Sequence, residues 1–490
     1  ILDTPGFFDF VGEVEEAAGA ADAAIIVVSG KAGVEVGTQK AWELCDKYKL
    51  PRMVFVTDMD IDNASYRQVV EDMTALYGKK IAPFHLPIRE NEKFVGYINV
   101  VSEKAYRWQG KEVVECDIPD YSKSNLQICR DTLLEAVAET SEEFMERYFG
   151  GESFSEAEIR AAMRTNVDDG SIVPMSMGSN VLCQGIYTLL DDIVKYLPSP
   201  EGREIAGINM KTKEIYQANY DFAKAKSAFI FKTIVDPFIG KYSLIKVCSG
   251  VLKPDDQLFN YDKDVEEKIG KLYVLQGNKP IEVSELHAGD IGALAKLTGA
   301  RTGNTLSTKN TPIEYGKTEI SVPYTYKRYK AKNKGDIDKI SQSLTKMMHE
   351  DLTLKVVNDS ENHQSLLYGM GDQHLDVVVS RLINEYKVEI ELSKPKVAFR
   401  ETIRKKSDVE YKYKKQTGGH GQYGHVKMRF EPSGDLETPY VFEQEVVGGA
   451  IPKNYFPAVE KGLQESVQKG PMAAYPVVGV KAVLYDGSYH

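Results

Sequence analysis

Apolar runs and amphipathic stripes alternate along the first two hundred residues. Patterns typical of buried strands and of helices follow one another at 23–29, 36–48, 52–56, 172–177 and 185–196. Strand–helix–strand order with short connections predicts a parallel sheet covered by helices. Residues 83–170 are more polar and more irregular, so we expect them to form an insert within one α/β domain spanning residues 1–200.

Two segments of this expected insert have helical periodicity, at 126–148 and 155–165. Ser155, with Glu158 three residues later, has the pattern of a helix-capping pair. Residues 197–202 contain two prolines and a glycine, which predict the end of the domain because proline cannot continue a helix.

After residue 200 the predicted elements differ from those of the first domain. Residues 205–307 contain short strands separated by Gly, Pro and Asp turns, one of them at 269–275, and predict a small β-barrel. Residues 311–400 follow the order strand, helix, strand, strand, helix, strand, which indicates a ferredoxin-like domain. Residues 401–490 form a further α+β segment. The predicted fold class is therefore a multidomain protein of α/β and α+β parts.

The second helix of the 311–400 segment has a regular apolar stripe. Its members recur at helical spacing and are Leu375, Val378, Val379, Leu382, Ile383 and Tyr386. Asp372, which follows Gly371, is expected to cap the start of this helix. The spacing predicts one buried face along the helix.

Composition narrows the class of protein. At about 100–200 residues per domain, 490 residues predict several domains. Hydrophobic residues make up 42% and charged residues 27%, which excludes disordered and fibrous classes.

The densest apolar run, 23–28, is far shorter than the about 18 residues of a membrane span, so no membrane partner is expected. Five scattered cysteines without a C-x-x-C pair indicate reduced thiols and a cytoplasmic protein. The abrupt start at Ile1 and end at His490 predict a fragment lacking both termini.

Charge is unevenly distributed along the chain. The formal charge of −11, taken as one number, argues against a nucleic-acid partner. Residues 404–430, however, contain eight basic and two acidic residues, which gives a net charge of +6, and tyrosines are interleaved with them. A solvated, lysine-rich strand edge is one interpretation. An RNA-backbone surface is the other, with Lys412, Lys414, Lys415 and Lys427 as its contact residues.

A D-x-x-G motif opens the chain at the end of a predicted strand. In a nucleotide switch, the Asp3 carboxylate would hold a water of Mg²⁺, and the Gly6 amide would approach a terminal phosphate. The alternative is a plain turn, because this tetrapeptide is common. Fifty-four residues after Asp3, Thr57-Asp58-Met59-Asp60 follows the second apolar run, where a guanine-reading N-K-x-D motif would fall. A solvated acidic turn is the alternative there.

Two further observations concern a nucleotide site. Ser179 follows the strand pattern at 172–177, where such folds place the loop that reads guanine O6. No P-loop is found in the sequence. Gly316-Lys317-Thr318 ends like one but lacks the earlier glycine, since residue 311 is threonine.

Several sequence blocks together resemble the elongation factor G family, and the resemblance runs nearly end to end. They are 3–9 (DTPGFFD), 196–200 (YLPSP), 236–238 with Gly240, 368–377 (YGMGDQHLDV), 416–426 (QTGGHGQYGHV), 447–452 (VGGAIP) and 484–490 (LYDGSYH). The resemblance implies a P-loop-type GTPase domain with an insert, a β-barrel, a ferredoxin-like domain, and a fourth domain with a left-handed β-α-β crossover. It implies that the P-loop, the first switch, the end of the fourth domain and the fifth domain lie outside this chain. It also implies GTP and Mg²⁺ as the ligands of the whole protein.

The resemblance assigns expected roles to individual positions. Asp3 corresponds to the magnesium site, through water, and Gly6 to the γ-phosphate site. Asp60 and Ser179 correspond to the guanine carboxylate and the O6 loop, and Thr57 replaces the motif's asparagine. His490 matches the histidine at the tip of the fourth domain, which enters the decoding site.

Phe7 occupies the position of the family's water-orienting histidine. A phenyl ring has neither donor nor acceptor, so we expect GTP hydrolysis to be slow, altered or lost. The alternative is that Phe7 packs as a hydrophobic gate while another residue orients water.

The resemblance implies a ribosome-dependent GTPase that moves tRNA and mRNA, with the ribosome as partner and a monomeric state. A factor that binds the ribosome without hydrolysing GTP is the first alternative. A ribosomal-protection resistance protein is the second, and ranks last because the 416–426 and 484–490 blocks look like the translocation factor.

Overall fold

The fold was analysed in a computed structural model that describes residues 1–236 and 240–490. It contains two compact units. The first comprises Ile1–Tyr326, Lys330–Val356 and Leu367–Glu391, and the second comprises Lys327–Tyr329, Val357–Leu366 and Leu392–His490. Part of one sequence block used above, Pro237 and Phe238, lies outside the described residues. Among the described residues, every helix is too short or too polar to cross a bilayer.

The first two hundred residues alternate between helices and strands as the hydrophobic pattern predicts. In chain order they are α1 (Val11–Ala20), β1 (Ala24–Ser29), α2 (Val36–Lys47), β2 (Arg52–Thr57), α3 (Tyr66–Tyr77), β3 (Ile81–Pro83), β4 (His85–Glu90), β5 (Lys93–Asn99), β6 (Lys104–Gln109), β7 (Glu112–Cys116), α4 (Lys123–Ala138), α5 (Glu142–Phe149), α6 (Glu156–Asp168), β8 (Val173–Met177) and α7 (Ile186–Tyr196).

A parallel sheet with the order β1-β2-β8-β3 forms the centre of this α/β domain. All five residues of β8 and the first five of β2 are buried. This burial on both faces explains why the two strands are nearly continuous apolar runs in the sequence. Between β3 and β8 the chain forms an insert: an antiparallel sheet of β4 to β7, followed by α4, α5 and α6. The α/β expectation and the insert are confirmed.

The helices of the insert differ from prediction at one place. The periodic segment 126–148 is two helices, because Ser141 starts a new one by accepting a hydrogen bond from the amide of Phe144. The capping pair at Ser155 and Glu158 is confirmed, since each side chain accepts from the backbone amide of the other.

The segment after residue 200 is built of antiparallel strands. They are β9 (Ile205–Asn209), β10 (Ile215–Ala218), β11 (Ser227–Asp236), β12 (Gly240–Ser249), β13 (Val251–Leu252), β14 (Gln257–Asn260), β15 (Val265–Lys268), β16 (Leu272–Gln276), β17 (Lys279–Val283), β18 (Leu286–His287), β19 (Ile291–Ala295), β20 (Thr305–Ser307) and β21 (Ile313–Tyr315). Eight of them form one sheet in the order β15-β14-β20-β11-β12-β19-β16-β17. Side chains from six of its strands share a single core, as a strongly curved sheet requires. The strand predicted at 269–275 begins only at Leu272.

The next elements have the ferredoxin-like order that the sequence predicts. They are β22 (Thr325–Ala331), α8 (Ile337–Glu350), β23 (Lys355–Asp359), β24 (Gln364–Gly369), α9 (Asp372–Asn384) and β25 (Ile390–Ser393). The predicted stripe of α9 is buried at Leu375, Val378 and Leu382, whereas Ile383 is exposed. Asp372 is the first residue of α9 and not its cap. The N-cap position belongs to Gly371, which has no side chain to offer.

The second unit ends in a four-stranded sheet. Its elements are β26 (Ser407–Lys415), β27 (Gln422–Pro432), β28 (Tyr440–Gln444), α10 (Phe456–Ser466) and β29 (Val480–Ser488), and the sheet order is β26-β27-β29-β28. Because β28 and β29 are parallel neighbours joined through α10, they form a β-α-β unit. Met428, Phe456, Ala482 and Leu484 belong to its core. The left-handedness of this crossover stays a prediction.

Candidate functional site

The carboxyl ends of three parallel strands meet at one edge of the α/β sheet. Ser29 ends β1, and its hydroxyl donates to the Asp58 carboxylate at 2.6 Å. The amide of Gly178, just after β8, donates to the carbonyl of Val56 at 2.9 Å, and the amide of Met59 donates to the carbonyl of Gly178 at 3.2 Å. In open α/β sheets, ligands bind at this edge.

Three of the sequence-predicted nucleotide residues lie at this edge. Thr57 ends β2, and its buried hydroxyl oxygen has no hydrogen-bond partner among the described residues. Asp60 is exposed two residues beyond Asp58. Ser179 is fully buried, and its hydroxyl oxygen accepts from the amide of Leu182 at 3.0 Å. Ser179 therefore shapes its own loop with its side chain.

Asp58 is the residue that most changes the expected guanine motif. Its backbone has a φ of 63°, in the left-handed region that suits Asn, Asp and Gly. Its carboxylate is held by Ser29. The acidic side chain in place of the motif's lysine is thus used to close the turn after β2.

The other predicted nucleotide residues lie on a separate segment. Residues 1–6 form neither helix nor strand, so the expectation that the D-x-x-G motif ends a strand is wrong: no described strand pairs with it. Asp3 and Gly6 are exposed, and nothing described lies within 4 Å of the position that a side chain on Gly6 would occupy. Phe7 is 66% exposed. Within the described residues no hydrogen bond joins this segment to Thr57, Asp60 or Ser179.

The donor set is compatible with a nucleotide and Mg²⁺. The exposed carboxylate of Asp60 is a polar group available to a base, whereas the unpartnered hydroxyl oxygen of Thr57 is buried. Open space at Gly6 allows a phosphate to approach the backbone. In the described parts of the chain no cluster of three metal-ligating side chains occurs. Mg²⁺ is usually held by one or two carboxylates together with phosphates and water, and Asp3 is an exposed carboxylate of this kind.

Helix α1, directly after this segment, contains an ion-pair cluster that the sequence analysis missed. Lys232 on β11 places its Nζ 2.5 Å from Glu13 and 2.9 Å from Glu16. Glu16 is only 3% exposed, and burial raises its pKa from 4.5 to about 7 despite the opposing effect of Lys232. No local pattern signals this cluster, because its partners are 216 residues or more apart in sequence.

The predicted RNA-contact residues lie on the edge strand β26 and its neighbour β27. All nine residues of β26 are exposed, including Lys412, Lys414 and Lys415. Tyr411 is 67% exposed. Lys427, in contrast, is paired with a carboxylate, Asp486, at 3.0 Å.

A hydrogen-bonded chain of side chains crosses this sheet near its end. The two ring nitrogens of His425 are bonded to different partners, Nδ1 to the Ser488 hydroxyl at 2.7 Å and Nε2 to the Glu410 carboxylate at 2.8 Å. The Tyr423 hydroxyl also bonds to Ser488 at 2.7 Å, and its ring lies 5.6 Å from that of His490. His490 is exposed. Sequence reasoning missed Glu410, His425 and Ser488, which belong to three different strands.

Comparisons with known proteins cover almost the whole chain. Residues 1–199 match the sequence profile of the elongation factor Tu GTP binding domain. Three profiles of elongation factor G domains match the rest of the chain: domain 2 matches residues 225–309, domain III matches 320–394, and domain IV matches 395–490. The crystal structure of a protein from Thermus thermophilus is similar to this chain, with 37% sequence identity and a TM-score of 0.84. The match covers 100% of this chain and 70% of that one. With a GTP-binding domain and elongation factor G domains in this order, the chain belongs to the elongation factor G family.

Proposed function

We propose that this protein is a GTP-dependent factor that moves tRNA and mRNA through the ribosome, acting as a monomer in the cytoplasm. The observation that carries the proposal is β26, a strand exposed along its whole length that presents three lysines and tyrosines. Such a strand adds nothing to a core, so its charges are available for an RNA backbone. Residues 1–200 would bind nucleotide, 205–307 and 311–400 would form the barrel and ferredoxin-like domains, and 401–490 would contact RNA.

At the nucleotide site, each proposed role follows from the chemistry of a side chain. The exposed carboxylate of Asp60 would accept from the N1 and N2 hydrogens of guanine, and the loop of Ser179 would face O6. Asp3 would hold a magnesium-bound water, and the Gly6 amide would donate to a terminal phosphate. GTP and Mg²⁺ would supply the cleavable phosphoanhydride and its charge neutralisation.

At the RNA site, Lys412, Lys414 and Lys415 would neutralise phosphates. The chain from Glu410 through His425 and Ser488 to Tyr423 would hold the end of β29 in place, so that His490 reaches the decoding site in a defined position. Lys427 would contribute less, because Asp486 already neutralises its charge.

A non-hydrolysing ribosome-binding factor is the second candidate, and Phe7 favours it. An exposed phenyl ring cannot orient water, and the loss of a water-positioning group typically costs orders of magnitude in rate.

Phosphate release by the full-length protein with ribosomes separates the two candidates. We expect slow release in the native protein and an increase of about tenfold or more in Phe7→His. Phe8→His is the matched control, since Phe8 is a neighbouring exposed phenylalanine, and it should leave the rate unchanged. Ribosome binding and mRNA movement without hydrolysis in either protein would favour the second candidate. A lack of any nucleotide-dependent ribosome binding would refute the proposed function.

A further inference from the structure

Helix α9 is capped from outside its own segment. Its first residue is Asp372, and the N-cap residue Gly371 provides no side-chain hydrogen bond. The amide of His374, the third residue of the helix, instead donates to Oδ2 of Asp9 at 3.0 Å. An Asp at a helix N-cap normally accepts from this same amide. Asp9 therefore supplies the missing cap from 365 residues away in sequence.

Gly371 leaves room for this carboxylate. A Cβ built on Gly371 would lie 2.4 Å from Oδ2 and 2.6 Å from Cγ of Asp9, far closer than atoms approach without displacement. The φ of Gly371 is −170°, which any residue adopts, so the backbone torsion does not require glycine here. The need for glycine comes from the space that the Asp9 carboxylate occupies.

Further contacts hold the donor of this hydrogen bond, His374, in place. The side chain is 2% exposed, and its Nδ1 accepts from the amide of Met370 at 3.0 Å. With Nδ1 as acceptor, Nε2 donates to the Asp351 carboxylate at 2.7 Å. The ring also meets Phe10 edge to face, with centroids 6.0 Å apart. These contacts hold the first turn of α9 in place, and the contact with Phe10 joins it to the same 3₁₀ turn that contains Asp9.

The other end of the contact is next to the candidate nucleotide segment. Asp9 is the middle residue of a short 3₁₀ turn, Phe8–Phe10, which directly follows Phe7. Asp9 is therefore three residues after Gly6. A displacement of α9 must therefore either break the bond to Asp9 or pull this turn with it. A carboxylate at the positive end of a helix is also stabilised by the helix dipole, which strengthens the link.

We propose that Asp9 is a positioning residue that couples the conformation of residues 3–10 to the position of α9 by capping that helix. This inference rests on the proposed function, because the coupling matters if residues 3–10 respond to nucleotide. Such coupling is reciprocal: nucleotide that repositions residues 3–10 changes the stability of the first turn of α9, and a shift of α9 changes nucleotide affinity.

The cap itself is tested by hydrogen exchange at the His374 amide in this chain. Asp9→Ala should reduce protection about fivefold, which corresponds to about 1 kcal/mol, the typical value of an N-cap. Gly371→Ala should do the same by displacing the carboxylate, whereas Asp9→Asn keeps an oxygen acceptor and should retain most of the protection. Asp336→Ala is the control, because Asp336 occupies the N-cap position of α8 without a capping bond. Unchanged His374 exchange in Asp9→Ala would overturn the proposal.

The coupling is tested in the full-length protein with GDP and with a non-hydrolysable GTP analogue. In the native protein we expect His374 protection to differ severalfold between the two nucleotides, and we expect this difference to disappear in Asp9→Ala and return in Asp9→Asn. The ratio of the two nucleotide affinities should change in parallel. An identical nucleotide response in Asp9→Ala and the native protein would refute the coupling. A failure to bind either nucleotide would refute the proposed function and the coupling with it, while the exchange result on the chain would still decide whether Asp9 caps α9.

Discussion

Replacement of Glu16 by glutamine should remove one component of the pH dependence of stability. Glu16 is buried at 3% exposure, next to Lys232, and has a pKa of about 7 in place of 4.5. Because its pKa is raised on folding, the folded state binds the proton more tightly than the unfolded state. The stabilisation from this group is complete below pH 4.5 and is lost as the pH rises to about 7.

The magnitude follows from the size of the pKa change. At about 1.36 kcal/mol per pH unit, the move from 4.5 to about 7 corresponds to about 3 kcal/mol of unfolding free energy. Glutamine has nearly the same shape and does not titrate. The difference in unfolding free energy, native minus Glu16→Gln, should therefore fall by about 3 kcal/mol between pH 4.5 and pH 7.

Urea titrations of both proteins at closely spaced pH values measure this difference. Carboxylates that do not interact with Glu16 titrate alike in both proteins and cancel in the subtraction. Glu13→Gln is the matched control, since Glu13 contacts the same Lys232 but its side chain is 40% exposed, so solvent screens its charge and its replacement should change the pH dependence much less. Parallel pH curves for the native protein and Glu16→Gln would refute the reasoning.

Three further predictions concern RNA binding and local stability. Joint replacement of Lys412, Lys414 and Lys415 by alanine should weaken RNA binding and reduce the slope of log affinity against log salt by about 2–3, measured by filter binding over a KCl series; an unchanged slope would exclude them as phosphate contacts. Ser141→Ala should destabilise α5 by about 1 kcal/mol in urea unfolding, because an amide three residues on loses its cap. Gly96→Ala should cost about 1–3 kcal/mol, since its Cβ would lie 2.0 Å from a carbonyl oxygen of β6, and a native-like unfolding midpoint would contradict this close packing.

The α/β domain shows which features a sequence reveals. The strands predicted at 23–29 and 52–56, the insert and the capping pair at Ser155 were found because their signals are local. A strand buried on both faces is apolar throughout, and a capping pair spans only three residues. The break at Ser141 was missed although its signal is also local, because apolar spacing continues across it and periodicity alone reads one helix.

The candidate sites were predictable only in part. The positions of Thr57, Asp60 and Ser179 follow from the strand pattern, since the carboxyl ends of neighbouring parallel strands must lie at one edge. The strand pattern does not predict the hydrogen bond from the Ser29 hydroxyl to the Asp58 carboxylate, because the two residues lie at the ends of different strands. The sequence predicted exposed lysines in this segment, but only the structure shows that Val409, Tyr411 and Tyr413 of β26 are exposed as well.

The sequence by itself determined the order of the elements, the domain types and the family, because these depend on periodicity and on contiguous motifs. Only the tertiary structure decided that Asp9 caps α9 and that Lys232 pairs with Glu13 and Glu16. In each case the partners are more than two hundred residues apart. A hydrogen bond or ion pair depends on distance in space, so a solitary aspartate or lysine carries no sign of its partner until the chain has folded.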